Sequence, residues 1–318
     1  LTDLNNKFFT GIRNSENGEV SNSTFFHYKQ HGDCISADYY GGEIVKGHLL
    51  GLKKNDKLVF VYHHINTDHL IRTGKCNSTL IINSSGTVEL HEDWEWTNGD
   101  FSKGHSIVEE VDIAEINRKT YNHSAMNYHN KFKDYSVYTN QIEKFAAYLN
   151  KDDELLDFGC GSGLNAEIFT RYGIKVTGID MSKRMIDLAE KYSPGSIFKH
   201  GDLRSYETSQ KFDGIAASFC IVHLTNKETI EFLSKISDFM NDGAYLYLSF
   251  MEGKTEGFEK VSFSDKPLYF NYYNRNEIQK ELEEKGFILI ETDSEDYYED
   301  DGSVTKDIFM ILKFSFKK

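Results

Sequence analysis

The sequence predicts two folds in one chain, an all-β meander barrel over residues 1–111 followed by a doubly wound α/β domain over 112–318. Three observations carry this reading. Short β-prone runs separated by turn clusters fill the first hundred residues, with no helix-period stretch among them. From about residue 142, helices and strands alternate. At the head of that alternation an apolar run ending in Asp157 passes into a loop with Gly159, Gly161 and Gly163 at every second position. Short strands at regular spacing close most readily into a barrel, which removes exposed edges. Alternating strands and helices build an open sheet whose ligand crevice lies at the carboxyl ends of its strands.

In the first domain, residues 24–28, 57–62, 79–82 and 88–90 read as strands. The turns between them are marked by Asn17-Gly18, Gly41-Gly42, Lys54-Asn55-Asp56, Ser84-Ser85-Gly86 and Asn98-Gly99-Asp100. About eight or nine strands are expected. Trp94 and Trp96 share a strand face and point to barrel core or a cavity lining. His63, His64 and His69 do not make a metal site, because adjacent strand residues face opposite sides; no metal is expected anywhere.

The period then changes. Ile142, Phe145, Ala146 and Leu149 lie at i, i+3, i+4 and i+7 of a helix. Strands follow at 155–158, 175–179, 196–200, 213–219 and 244–250, the last after a Gly243 stop. Helices are expected at 164–171, 182–191, 226–240 (Ile230, Leu233 and Ile236 on one face) and 274–285. The last of these opens with Asn274-x-x-Glu277, like a capping box, and closes at Gly286. Residues 287–291 and 308–316 read as a terminal hairpin. The acidic run 291–301 reads as a solvated loop, one that would favour a cationic ligand if it lay near a site.

The chain has 318 residues, a length that fits roughly two domains. Its net charge of −14 is evenly shared: 10 basic against 17 acidic residues in 1–115 leave 26 against 33 afterwards, about −7 each. Such a surface disfavours nucleic acid and membranes as partners. Cys34, Cys76, Cys160 and Cys220 are dispersed, which speaks against structural zinc and for a reducing, cytoplasmic setting. No apolar run approaches bilayer length, and no signal peptide is expected. Oligomeric state is not encoded.

The glycine loop decides the chemistry. A dinucleotide fingerprint needs a third glycine at the sixth place, which Leu164 occupies. Asp180 ends the next strand, 17 residues after Gly163, where a carboxylate can accept both hydroxyls of a ribose. The run Asp157-x-Gly159-x-Gly161-x-Gly163 resembles the first motif of class I S-adenosylmethionine-dependent methyltransferases. Three further segments resemble later motifs of that family, in the right order: Gly201-Asp202-Leu203; Ser218 to Leu224, like an S-x-x-x-x-H-L segment; and Tyr269 through Gly286-Phe287. The resemblance covers residues 112–318 and implies a Rossmann-like, seven-stranded sheet ending in an antiparallel hairpin. In the first domain, Asn17-Gly18-Glu19-Val20-Ser21, Tyr40-Gly41-Gly42, Gly74-Lys75-Cys76 and Glu92-x-Trp94-x-Trp96-x-x-Gly99-Asp100 resemble a small family of bacterial lipocalin-like barrels.

The resemblance also implies roles. Gly159, Cys160, Gly161 and Gly163 would line the methionine part of S-adenosylmethionine, and Asp157 would hold its amino group directly or through water. Asp180 would bind the ribose, Met181 would pack on adenine, and Asp202 with Leu203 would read the adenine edge. Phe219 or Cys220 would continue the wall. Methyl transfer asks a protein mainly to align the nucleophile and exclude water, with a base only where the acceptor must lose a proton. His223 is the candidate base, since an imidazole titrates near neutrality; the competing reading is a packing residue at a strand–helix junction. Residues 120–129 are placed to form a lid helix, with Tyr121 and Tyr128 on one face, either touching the ligands or packing the helix.

The expected function is therefore methyl transfer from S-adenosylmethionine to an O or N atom of a small molecule or short peptide. The segment at 218–224 lacks the Asn/Asp-Pro-Pro-aromatic box of enzymes that methylate exocyclic base amines. Two alternatives stay open: an RNA or protein methyltransferase that uses the barrel as a docking module, and a non-catalytic sensor whose barrel binds a ligand.

Overall fold

The computed structural model describes residues 2–298, 302 and 304–315. The chain divides into two compact units, Leu1–Ile113 and Ala114–Lys318. The first is a closed barrel of eight antiparallel strands: β1 Lys7–Asn14, β2 Phe25–His31, β3 Cys34–Gly41, β4 Ile44–Lys54, β5 Lys57–Asn66, β6 Ile71–Ile82, β7 Val88–Trp96 and β8 Lys103–Glu110. Each pairs with the next, and β8 closes on β1 with Phe9 opposite Glu110. The tight turns after β2 and β4 work because Gly32 and Asn55 take φ of 59° and 57°, the twist a two-residue hairpin demands.

Side chains fill the barrel. Alternation on β7 turns Val88, Leu90, Trp94 and Trp96 inward, and with them the acid Glu92. Rings from neighbouring strands need space, and glycines supply it: a Cβ at Gly47, Gly74 or Gly104 would lie 2.3, 2.2 or 2.2 Å from the ring of Tyr39, Tyr62 or Trp94 respectively. The void that remains is about 40 Å³, the share of one or two waters. Glu92 accepts a hydrogen bond from Ser106 Oγ (2.7 Å), yet burial pushes its carboxyl up to about 7. Near Trp96, His64 lies between Tyr39 Oη (3.1 Å) and Glu19 Oε2 (2.7 Å), and Arg72 stacks 4.4 Å above the Trp96 ring. His63 faces outward, and no group of three or more metal-ligating side chains comes together among the described residues.

The second unit opens with α1 Ile113–Phe132, kinked at Ser124, and α2 Ser136–Ala146. Then come β9 Glu154–Phe158, α3 Leu164–Arg171, β10 Lys175–Asp180, α4 Lys183–Tyr192, β11 Ile197–His200 and β12 Phe212–Ser218. After a 3-10 turn at Ile221–His223 follow α5 Asn226–Lys235, β13 Met240–Glu252, β14 Gly257–Val261, β15 Ser264–Phe270, α6 Arg275–Glu284, β16 Phe287–Tyr298 and β17 Val304–Phe314. The sheet order is β11-β10-β9-β12-β13-β17-β16, with β17 the antiparallel strand. The order reverses between β9 and β12, and at that switch point the strand ends splay into a crevice. No described helix is long and apolar enough to cross a membrane.

Several elements differ from their sequence reading. The helix expected to reach 240 ends at Lys235, and β13 starts at Met240, which pairs with Phe212. Its buried face is Thr229, Phe232 and Leu233, while Ile230 is 54% exposed. The reciprocal capping box belongs to Thr225 and Glu228; Asn274 caps α6 with its side chain alone. The acidic run 291–298 is strand, because α2 and the turn after it supply partners: Gln141 and Lys144 donate to Asp293 (2.8 and 2.9 Å), and Tyr148 to Glu291 (3.1 Å). Residues 299–301 of that run, and Phe316 of the hairpin, lie outside the described residues.

Candidate active site

The site grows from the ends of four parallel strands. After β9 the chain must turn sharply, and Gly159, Gly161 and Gly163 take φ of 67°, 53° and 81°, a region that side chains disfavour. The N–H groups of Gly159 and Cys160 both bond to Ile179 O on β10 (2.8 and 3.0 Å), which fixes the loop against its neighbour. Gly161 N donates to Asp180 Oδ2 (3.0 Å) and Ser182 N to Oδ1 (2.8 Å), so Asp180 is clamped with lone pairs left on both oxygens. Burial, opposed by these two donors, still lifts its carboxyl to about 6.

Asp157 lies beneath the loop and is fully buried. Neither of its carboxylate oxygens has a hydrogen-bond partner among the described residues. Burial first, and the nearby Asp180 second, push it up to about 8. An orphaned acid of this kind is costly unless a cation or donor arrives. Gly159, Cys160, Gly161, Asp180, Met181, Asp202, Leu203, Phe219, Cys220, Tyr121, Tyr128 and His223 all line one cavity of about 1090 Å³. Asp157 and Gly163 are not in that lining. A Cβ at Gly163 would lie 2.9 Å from Ala189 Cα, so this glycine also allows close packing of the α3 start on α4. Asp202 is gripped by Arg204, which also bonds Glu228; against the cost of burial, this holds the Asp202 carboxyl below its usual value.

Helix α1 covers the loops and is bonded to both. Asn122 Oδ1 accepts from Ser182 Oγ (2.9 Å) and Arg184 N (3.0 Å) at the start of α4, and His129 Nδ1 meets Ser162 Oγ (3.0 Å). Tyr121 and Tyr128 stand edge to face with centroids 5.6 Å apart.

His223 is brought to Tyr121. Its Nδ1–H donates to Tyr269 O (2.9 Å), which leaves Nε2 to accept from Tyr121 Oη (2.7 Å). Asn117 brackets the same Tyr269 peptide, accepting from its N–H (2.9 Å) and donating to its carbonyl (3.2 Å). The expectation of a ring titrating near neutrality is not met. Burial, only partly offset by the Tyr269 carbonyl, pushes the imidazole down to about 4, so it is a neutral acceptor at physiological pH. Phe219 takes φ of 48°, a strained value for an aromatic residue, at the mouth of β12.

Sequence reasoning missed the far half of the cavity. Phe263, on the turn of the β14–β15 hairpin, lies 6.1 Å from Tyr121 and 5.3 Å from Tyr128. Tyr138 and Asp307 join from α2 and β17, and Lys131 donates to Tyr297 Oη (3.1 Å) at the edge. The density of rings at 121, 128, 132, 135 and 138 was the available signal.

Comparison with known proteins now bears on this geometry. The family model described as "Methyltransferase domain" matches residues 129–292, more than half of the chain. The chain belongs to the methyltransferase domain family. A second model, "Avidin-like protein", matches residues 2–111, the barrel. Among curated relatives, a dTDP-3-amino-3,6-dideoxy-alpha-D-glucopyranose N,N-dimethyltransferase of Streptomyces fradiae is 23% identical over 38% of this chain and 45% of its own length. A ubiquinone biosynthesis O-methyltransferase of Rickettsia bellii is 35% identical over 27% of this chain and 38% of its own. The chain thus spans less than half the length of these curated relatives. A solved Burkholderia thailandensis 1,6-didemethyltoxoflavin-N1-methyltransferase, with its substrate and S-adenosylhomocysteine bound, superposes with TM-score 0.51 at 15% identity, over 74% of this chain and 98% of its own. Magnesium protoporphyrin IX methyltransferase of Synechocystis with S-adenosylhomocysteine gives 0.51 at 18%, over 64% of this chain and all of its own. The second unit has the fold of these solved methyltransferases.

Proposed function

We propose that this chain transfers a methyl group from S-adenosylmethionine to an O or N atom of a small molecule. The observation that carries it is the buried, unpartnered Asp157 carboxylate beneath the glycine loop, beside a clamped Asp180. These groups fit the cofactor: an ammonium satisfies the acid, and ribose hydroxyls satisfy the free lone pairs of Asp180. Bound there, S-adenosylmethionine supplies an electrophilic methyl carried on a sulfonium. Met181, Leu203 and Phe219 supply apolar wall for the adenine and the donor. Tyr121 presents a phenol to the acceptor, and His223 Nε2 accepts the phenol's hydrogen bond and so fixes its orientation.

A cavity of about 1090 Å³ exceeds the roughly 300–1,000 Å³ of ordinary small-ligand pockets, giving room for donor and acceptor together. That favours a small acceptor over RNA or protein. The filled barrel interior removes support from the sensor alternative, since about 40 Å³ admits no organic ligand. We read the barrel as a docking module, a reading supported by exposed cross-strand pairs Leu50–Val61 and Leu52–Val59 on its outer wall.

Calorimetry with S-adenosylmethionine tests the proposal. One site is expected, weakened about 10- to 100-fold in Asp180→Ala; an absence of binding by the unaltered chain overturns it.

A further inference from the structure

The far half of the cavity is walled by rings. The hairpin of β14 and β15 turns through Ser262 and Phe263, since Val261 pairs with Ser264. A phenylalanine on so tight a turn is ordinarily left in water, because turns run over the surface. Phe263 is instead 8% exposed and lines the cavity. Both serines that flank it are tied to α1: Lys131 Nζ donates to Ser262 Oγ, and Ser124 Oγ donates to Ser264 Oγ (2.8 Å). Further along β15, Pro267 O accepts from Thr120 Oγ1 (3.1 Å). The ring so placed stands near-parallel to Tyr121 (21°), edge-on to Tyr128 (82°) and 6.2 Å from Phe132. Phe132 continues to Tyr138 (5.9 Å, 21°), and Tyr138 to Phe219 (4.9 Å). Every ring of this belt lines the cavity. It runs from Tyr121, the partner of His223, to Phe219 just after the last residue of β12.

From this belt we infer that the methyl acceptor is a planar aromatic compound, and that Phe263 is the residue that selects it. The inference rests on the methyl-transfer reading above and names the acceptor class. A ring face carries a negative quadrupole and a ring edge a positive one, so a flat aromatic guest finds offset-stacked or edge-to-face partners along the belt. A saturated ring of equal size buries as much apolar area but has no quadrupole to match. A sugar brings hydroxyls that carbon rings cannot satisfy, and each leaves water at a cost. A flexible chain gives up rotamer freedom that a rigid ring never had. Selection by quadrupole needs no charge on the acceptor, so it does not depend on the acidic and basic side chains elsewhere in the lining.

The test uses the full chain saturated with S-adenosylhomocysteine and three neutral probes: 2-naphthol, its saturated counterpart decahydro-2-naphthol, and methyl glucoside. The two bicyclic alcohols share one carbon skeleton, so a merely apolar cavity binds them alike. Calorimetry is expected to show 2-naphthol binding at least about tenfold more tightly than either of the others. Phe263→Leu keeps an apolar side chain and removes the ring. It is expected to weaken 2-naphthol about fivefold or more, with decahydro-2-naphthol and S-adenosylhomocysteine each held within about twofold. Decahydro-2-naphthol or the glucoside binding as tightly as 2-naphthol overturns the inference without any variant, as does a 2-naphthol preference that survives Phe263→Leu intact. A chain that binds S-adenosylhomocysteine but not 2-naphthol sinks the inference alone. Failure of the unaltered chain to bind S-adenosylhomocysteine is a different result: it sinks the methyl-transfer reading itself, and this inference with it.

Discussion

The two units use buried charge in opposite ways. In the barrel, Glu19, His64, Arg72 and Tyr39 bond one another, Glu92 has Ser106, and the interior is filled to about 40 Å³. In the α/β unit, Asp157 has no hydrogen-bond partner among the described residues, and the cavity lined by the glycine loop measures about 1090 Å³. One unit has closed its interior. The other leaves a buried acid and open space for a ligand to complete, and that incompleteness marks the candidate site.

The comparison can be broken in four ways. Both tryptophans of the chain lie in the barrel, so indole fluorescence reports barrel unfolding alone. Trp94→Ala should cost the barrel about 3–5 kcal/mol in urea unfolding followed through Trp96, with S-adenosylhomocysteine affinity unchanged; a parallel loss of affinity would show that the units are energetically coupled. Glu92 tests the barrel electrostatically. Its folded value of about 7 lies above the unfolded value of 4.5, so its contribution is fully present below pH 4.5 and is lost as pH rises through 7. The barrel should therefore weaken between pH 5 and pH 8, by up to about 3 kcal/mol, and Glu92→Gln should remove most of that slope.

In the α/β unit, Asp180→Ala should weaken S-adenosylhomocysteine binding 10- to 100-fold, about 1.5–3 kcal/mol for hydrogen bonds to a charged group. The barrel midpoint should not move. Asp157, pushed up to about 8, is protonated at pH 7, and a bound ammonium lowers its pKa. Cofactor binding at pH 7 should then release up to about one proton, read from calorimetry in two buffers of different ionisation enthalpy. Asp157→Asn should abolish that release. An unchanged proton count would place the cofactor's amino group elsewhere.

Much of the fold was legible because it is written in local periodicity. Turn glycines and asparagines with short β runs foretold the eight-stranded barrel, and the apolar run into Gly159 foretold the strand–loop–helix start of the α/β sheet. The errors fell where distant partners override local signal. Acids at 291–298 read as a solvated loop, but Lys144, Gln141 and Tyr148, some 140–150 residues earlier, donate to Asp293 and Glu291 and let β16 run on. Ile230 fitted a helical face by spacing, yet the core took Phe232 and Leu233 instead.

For the proposed site, local signal pointed to the strand-end residues: Asp157, the glycines, Asp180, Asp202 and Leu203. A bound cofactor is met by the turns that follow successive strands, and turn chemistry is a local property of the chain. Only the tertiary structure decided what faces them. It buried His223 until it became a neutral acceptor for Tyr121, gave Gly163 a packing duty against Ala189, and set Phe263 beside Tyr121 and Tyr128. Burial and long-range pairing fix a group's charge state and neighbours, and neither is a function of sequence spacing.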